Sequence, residues 1–253
     1  MLYKASFLQQ CDILATDGSI GDVYDQYFDD RSWSLRYFVV DTGKWLPGRK
    51  VLIAPAAISK VDIDNADLQL NLTRQQVTES PDMSSDLPVS RRMEKEMSRR
   101  FGWPAYWDLA AAGVVAPPMI PPFAPPESAS SGQPAPAPEN ANPNLRSVAE
   151  IEGYGLSVAD GELGAVYDVV FSDSSWTIRY LVIETGNWLS GRKVLIAPSW
   201  CTGIDWSDRV IQVRLTRDAI ESCPEYDPKA PIDRKYEAAI HEHYREDTYW
   251  IDA

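Results

Sequence analysis

The sequence predicts a mainly β protein: two small antiparallel β-barrels, each with a C-terminal helix, joined by a Pro/Ala-rich disordered linker. Three observations carry that prediction. A 39-residue stretch is written twice, apolar residues within each copy alternate with a period of two, and a proline-dense segment separates the copies.

Residues 17–55 read DGSIGDVYDQYFDDRSWSLRYFVVDTGKWLPGRKVLIAP, and residues 160–198 read DGELGAVYDVVFSDSSWTIRYLVIETGNWLSGRKVLIAP. At a constant offset of 143, 25 of the 39 positions are identical. The register continues beyond them, with Thr73-Arg74 on Thr216-Arg217, Pro81 on Pro224, Glu94 on Glu237 and Tyr106-Trp107 on Tyr249-Trp250. The chain of 253 residues therefore divides into repeat 1 at 1–112, a linker at 113–144 and repeat 2 at 145–253. Each repeat is long enough to bury a modest core of its own. The linker holds ten of the 19 prolines, so it reads as an extended tether.

In each repeat an opening strand at 21–28 follows the Asp17-Gly18 turn. Residues 34–40 and 177–183, rich in β-branched and aromatic side chains, form the next strand. A glycine-bounded tip at 42–48 (185–191) turns into a strand at 50–54 (193–197), stopped by Pro55 and Pro198. A hairpin pairs 58–63 with 67–72, turning at Asp64-Asn65-Ala66. Five or six such strands in a short span suggest closure into a barrel, which removes exposed edges. Thr73 with Gln76 spells a capping box, and Thr216 caps its twin without the reciprocal partner at Ala219. Ser90 and Asp233 are placed to cap the closing helices. Met93, Met97 and Phe101, aligned with Tyr236, Ile240 and Tyr244, form a stripe that packs on the barrel.

The net charge is −13, divided −3 up to Ala112 and −10 beyond it. Such a surface repels phosphate backbones and anionic membranes, which argues against nucleic acid as a partner. No run approaches the roughly 20 apolar residues of a membrane span. The first residues lack the apolar centre of a signal peptide. The expectation is a cytoplasmic protein with no integral membrane segment. Cys11, Cys201 and Cys223 fall opposite Tyr154, Ile58 and Ser80, so no cysteine framework belongs to the repeat and reduced thiols are expected.

No catalytic set can be assembled, and no metal or cofactor is implied. His241 and His243, two apart on a helix, diverge too far to share a metal and read as solvent-facing. Residues 62–67 alternate carboxylates but lack the glycine and terminal glutamate of a calcium loop, so a hairpin turn accounts for them. Gly153 and Gly155 lack the third glycine of a dinucleotide loop.

Two repeated constellations remain. Trp45 with Arg49, and Trp188 with Arg192, set an aromatic ring and a guanidinium near a loop end in both copies, the pairing typical of interface anchors. The alternative is that each tryptophan folds back on its own barrel and each arginine pairs with Asp41 or Glu184. Asp25 and Asp168 stand inside strands, where aspartate is disfavoured. Each is read as a structural acid, bonded either to Arg36 or Arg179 or to backbone amides. A single carboxylate per domain offers no acid–base partner.

The pattern DGxxGxVxDxxFxD, then WxxRYxV, then TGxWLxGRKVLIAP resembles the PRC-barrel family. Asp17, Gly18, Gly21, Asp25, Trp33, Arg36, Tyr37, Trp45, Gly48, Arg49 and Pro55 match it, and their counterparts 143 residues later match it again. That family includes the cytoplasmic domain of the photosynthetic reaction centre H subunit and the C-terminal domain of the ribosome maturation factor RimM. The resemblance implies a tandem of non-enzymatic barrels acting as a protein interaction or assembly module, with the partner unnamed. An alternative it implies is a peripheral component of a membrane-bound photosynthetic or respiratory electron-transfer complex, at the inner membrane. The shared register and permissive tether also suggest pseudo-twofold docking of the repeats, as in an isologous dimer.

Overall fold

The computed structural model describes residues 1–43, 45–80, 91–103, 144–186 and 191–250, with 91–93 as backbone alone. The linker apart from Asn144, the cap at Ser90, Pro81, the Tyr106-Trp107 pair and the Met93 side chain lie outside the described residues.

The body of repeat 1 contains α1 (Ala5–Leu8), β2 (Asp12–Ala15), β3 (Gly18–Asp29), β4 (Ser34–Asp41) and β5 (Lys50–Ile53). A 3-10 turn at Pro55–Ala57 leads into β6 (Ile58–Asp62), β7 (Asp67–Leu70), α2 (Arg74–Thr78) and α3 (Arg91–Phe101). Hydrogen bonding runs in the order β5-β4-β3-β2-β7-β6. Every pairing is antiparallel except β2 with β7, a departure from the wholly antiparallel sheet expected. Repeat 2 reproduces this plan. After α4 (Val148–Ile151), its strands β9 (Gly155–Val158), β10 (Gly161–Ser172), β11 (Ile178–Glu184), β12 (Lys193–Ile196), β13 (Cys201–Asp205) and β14 (Val210–Val213) pair as β12-β11-β10-β9-β14-β13. Here β9 and β14 are the parallel pair. Helices α5 (Arg217–Glu221) and α6 (Arg234–Tyr244) follow.

Local chemistry explains these elements. The β4 segment alternates until its last residues, Phe38, Val39 and Val40, which are buried in succession. Thr73 and Gln76 form the reciprocal capping box, Thr216 accepts the Ala219 amide, and Asp233 accepts the Tyr236 amide. The β6–β7 turn is held by Asp62, which accepts the Asn65 amide at 3.2 Å, and its twin by Asp205, which accepts the Ser207 and Asp208 amides at 2.9 Å. The hairpin reading of those carboxylates holds. Trp33 and Trp176 occupy the left-handed region at φ 53° and 51°, the same unusual conformation at equivalent positions.

Two further strands were not apparent in the sequence, and they change how the chain divides. β1 (Leu2–Lys4) pairs with the far half of β10, and β8 (Leu145–Ser147) pairs with the far half of β3. The compact units are therefore Met1–Ala5 with Ala149–Ala253, and Ser6–Val148. Each unit joins the body of one repeat to the opening strand of the other, so neither sheet is built from one repeat alone. The physical reason is the length of β3 and β10. Each is 12 residues long, its first half pairs with β2 or β9, and its second half extends past that neighbour. The extension would be an open edge without an added strand. In the Ser6–Val148 unit, Leu145 packs on the core of Tyr37, Val39, Leu52, Ala54 and Met97. In the other unit, Trp200, Tyr154, Tyr180 and Phe171 are the largest fully buried side chains.

Candidate functional site

The hairpin tip is drawn inward. Thr42 and Thr185 are buried, and their hydroxyls donate to the carbonyls of Arg49 and Arg192 at 2.8 and 3.0 Å, closing the loop on itself. Arg49 donates to the carbonyls of Thr78 and Ser80 at 3.1 and 2.7 Å, and Arg192 to those of Glu221 and Cys223 at 2.9 and 2.7 Å. These carbonyls close the short helices α2 and α5, whose ends carry partial negative charge. Both guanidinium groups thus bind helix-end carbonyls of their own unit, and Arg192 Nε also lies 3.7 Å from Glu225. Trp45 is half-buried beneath Arg74, whose guanidinium carbon lies 4.7 Å from the ring centroid. Trp188 lies outside the described residues.

Asp25 and Asp168 are buried, and each accepts the amide of the following residue, Gln26 at 2.7 Å and Val169 at 2.8 Å. Asp25 also accepts the Ser147 hydroxyl at 2.5 Å, so this acid secures β8. Arg36 and Arg179 reach the hydroxyls of Ser32 and Ser175 at 3.0 and 3.1 Å. Arg179 also lies 4.2 Å over the Tyr249 ring. Of the two bonding modes open to the acids in the sequence, the backbone amides are occupied in both copies.

A β-bulge immediately before each acid makes the surface feature that the sequence reading missed. Val23 faces Val40 and Asp25 faces Val39, leaving Tyr24 as the extra residue; Val166, Tyr167 and Asp168 repeat the arrangement. The bulge turns the extra side chain away from the core. Tyr24 is 57 % exposed and Tyr167 50 %, although both stand in strands whose other large apolar residues are buried or, for Tyr27, partly buried. A lysine covers each ring, Lys50 at 3.0 Å from the Tyr24 centroid and Lys193 at 4.1 Å from that of Tyr167. The sequence held one signal, the identical Val-Tyr-Asp triplet in both copies. Strict alternation cannot reveal a bulge, because the bulge breaks the alternation.

Beside Tyr24 runs a row of five aspartates, ended by Lys50, found in one repeat only. Lys50 faces Asp41, Asp41 faces Asp22, Asp22 faces Asp12, Asp12 faces Asp67, and Asp67 faces Asp62 across five strand pairings. The equivalent row of repeat 2 reads Lys193, Glu184, Ala165, Gly155, Val210 and Asp205. Like charges directly opposite destabilise a sheet. Asp22 has its carboxyl pKa raised, first by its hydrogen bond with Asp12, then by burial and the charges of Asp12 and Asp41. Folding thus gains from protonation below the ordinary aspartate range and loses that contribution as pH rises through the raised pKa. Asp22→Asn is expected to stabilise this unit by about 0.5 kcal/mol at neutral pH and low salt. The gain should vanish below about pH 4, and urea unfolding at both pH values measures it.

A second polar cluster lies in the interior. Glu237, 3 % exposed on α6, accepts the Tyr180 hydroxyl at 3.0 Å and the Tyr249 hydroxyl at 2.5 Å, and pairs with Arg234 at 3.0 Å. His241 is also 3 % exposed, a correction to the solvent-facing expectation. Its Nε2 lies 3.1 Å from the Tyr180 hydroxyl and its Nδ1 2.9 Å from the Asp247 carbonyl, while Trp200 and Trp250 flank the ring. His243 reaches the Ala219 carbonyl at 2.7 Å. The histidines failed as a sequence signal because helix phase alone does not show what covers a face. Burial lowers the His241 pKa, raises that of Tyr180, and pushes Tyr249 up to about 12. The cluster fixes α6 and the following segment onto β11. Its counterpart positions recur in repeat 1, where Glu94 is fully buried and Tyr37 nearly so.

Burial pushes the thiols of Cys11 and Cys223 up to about 11, far from the thiolate form of a nucleophile. Among the described residues, no group of three or more His, Cys, Asp or Glu is placed to hold a metal ion. No helix among them is long and apolar enough to cross a membrane.

Residues 152–220 match the PRC-barrel domain family. The matched stretch runs from just before β9 to α5, so it covers β9 to β14 of repeat 2 and leaves out β8 and α6. No curated protein matches the chain.

Proposed function

We propose that this chain is a tandem PRC-barrel protein that works without chemistry of its own, as an interaction or assembly module. Its binding surface is the bulged face carrying Tyr24 with Lys50 and Tyr167 with Lys193. The observation that supports this reading is one exposed tyrosine under one lysine, at equivalent positions of both repeats. An exposed aromatic body with a polar tip, beside a cation, suits a protein partner, since tyrosine buries large area for little conformational entropy. The tip residues first in view, Arg49 and Arg192, serve this surface indirectly by holding the strand ends in place.

The test is a photo-crosslinking side chain at Tyr24, at Tyr167 and, as control, at the exposed Asn65. The expected result is one protein of discrete mass captured from the native host at both tyrosine positions and not at Asn65. Tyr24→Ala with Tyr167→Ala should then weaken binding of that purified protein tenfold or more, with an unchanged circular dichroism spectrum. No discrete adduct at either tyrosine overturns the proposal.

A further inference from the structure

The arms β1 and β8 fill equivalent edges by one rule. Leu2–Lys4 and Leu145–Ser147 are equivalent segments, and the edges they occupy, 170–172 and 27–29, are also equivalent. Neither edge is filled by the arm of its own repeat.

Each arm is secured by contacts beyond the ladder. The Met1 amino group lies 2.7 Å from Asp173, and Lys4 Nζ donates to the Pro228 carbonyl at 2.7 Å. Arg146 Nε lies 3.3 Å from Asp30, and Ser147 donates to Asp25. Asp30 and Asp173 are themselves equivalent, so both edges offer a carboxylate to an incoming cationic arm. The arms are three residues long, short enough to leave the sheet by local opening without unfolding the body. An arm that leaves exposes an edge, and an exposed edge recruits another strand.

We propose that the arm and its edge form a self-association site whose partner is a second copy of this chain. Leu2–Lys4 of one copy seats on residues 170–172 of the other, giving a strand-exchanged dimer in which each pairing of the monomer is kept. The arm already completes a sheet built from another repeat, so exchange in trans requires no new contact. Only the effective concentration distinguishes the two arrangements. Monomer is favoured when dilute, and dimer when chains are concentrated while the arms are released. This inference is independent of the Tyr24 and Tyr167 surface.

Leu2 and Ser172 stand directly opposite, at the spacing a disulfide spans. The test uses full chains with the native cysteines replaced by serine. A chain carrying both Leu2→Cys and Ser172→Cys should form an intrachain disulfide on oxidation, checked by peptide mapping. A chain with Leu2→Cys alone is then mixed with a differently tagged chain with Ser172→Cys alone. The mixture is annealed in mild denaturant, returned to buffer and oxidised. The expected result is a disulfide-linked heterodimer whose yield rises with chain concentration and is lost when Tyr3→Pro is added to the arm. An intrachain disulfide in the double variant with no interchain product at any concentration overturns the exchange. Absence of the intrachain disulfide overturns the arm–edge pairing on which it stands.

Discussion

Gly21→Ala, and equally Gly164→Ala, is expected to destabilise the unit that carries it by on the order of 4 kcal/mol or more. A Cβ at Gly21 would lie 1.9 Å from the carbonyl oxygen of Asp41, and at Gly164 2.0 Å from that of Glu184. Those oxygens belong to the last residues of β4 and β11, so relief requires moving backbone, and the adjoining bulge and strand pairing would move with it. Both positions also have positive φ, +138° and +64°, which side chains disfavour. The expected loss is comparable with the whole stability of a small domain. Gly43→Ala and Gly186→Ala form the comparison, since they share a positive φ but have nothing within 4 Å of the added atom. They should show only the conformational part, about 1–2 kcal/mol. Urea midpoints of the four variants measure the difference, and equal losses would remove the close-approach explanation.

The glycine spacing, the capping threonines and the strand pattern were legible because each acts over a few residues. The sequence marked the hairpins, the cap at Thr73, and the stops at Pro55 and Pro198. It did not mark β1, whose three residues have no alternation to detect, nor the exchange of arms, which depends on the length of β3 and β10. It singled out Arg49 and Arg192, with Trp45 and Trp188, as candidate interface anchors but could not show the arginines' targets, which are carbonyls about 30 positions away. Tyr24 and Tyr167 escaped for a related reason. A repeated tyrosine inside a strand reads as core, and only the bulge turns it outward.

The interior cluster at Glu237 supports the second large effect. Glu237→Ala is expected to cost about 3 kcal/mol, chiefly from the tyrosine hydroxyls that lose their buried acceptor, since the Arg234 side chain is itself half-exposed. The loss would leave the Tyr180 and Tyr249 hydroxyls and the Arg234 guanidinium without their shared acceptor, and a cavity against β11. Because α6 is held through this side chain, the change should loosen the helix before the sheet. Hydrogen exchange should then quicken at Arg234–Tyr244 more than at Ile178–Glu184. Glu237→Gln keeps the size and one acceptor oxygen and loses the charge, so a smaller loss is expected, about 1–2 kcal/mol. Glu94→Ala in repeat 1 provides an internal replicate, since its carboxylate is fully buried at the equivalent position. A uniform rise in exchange over helix and strand alike would show that Glu237 supports the whole unit and does not act as a local tie between α6 and the sheet.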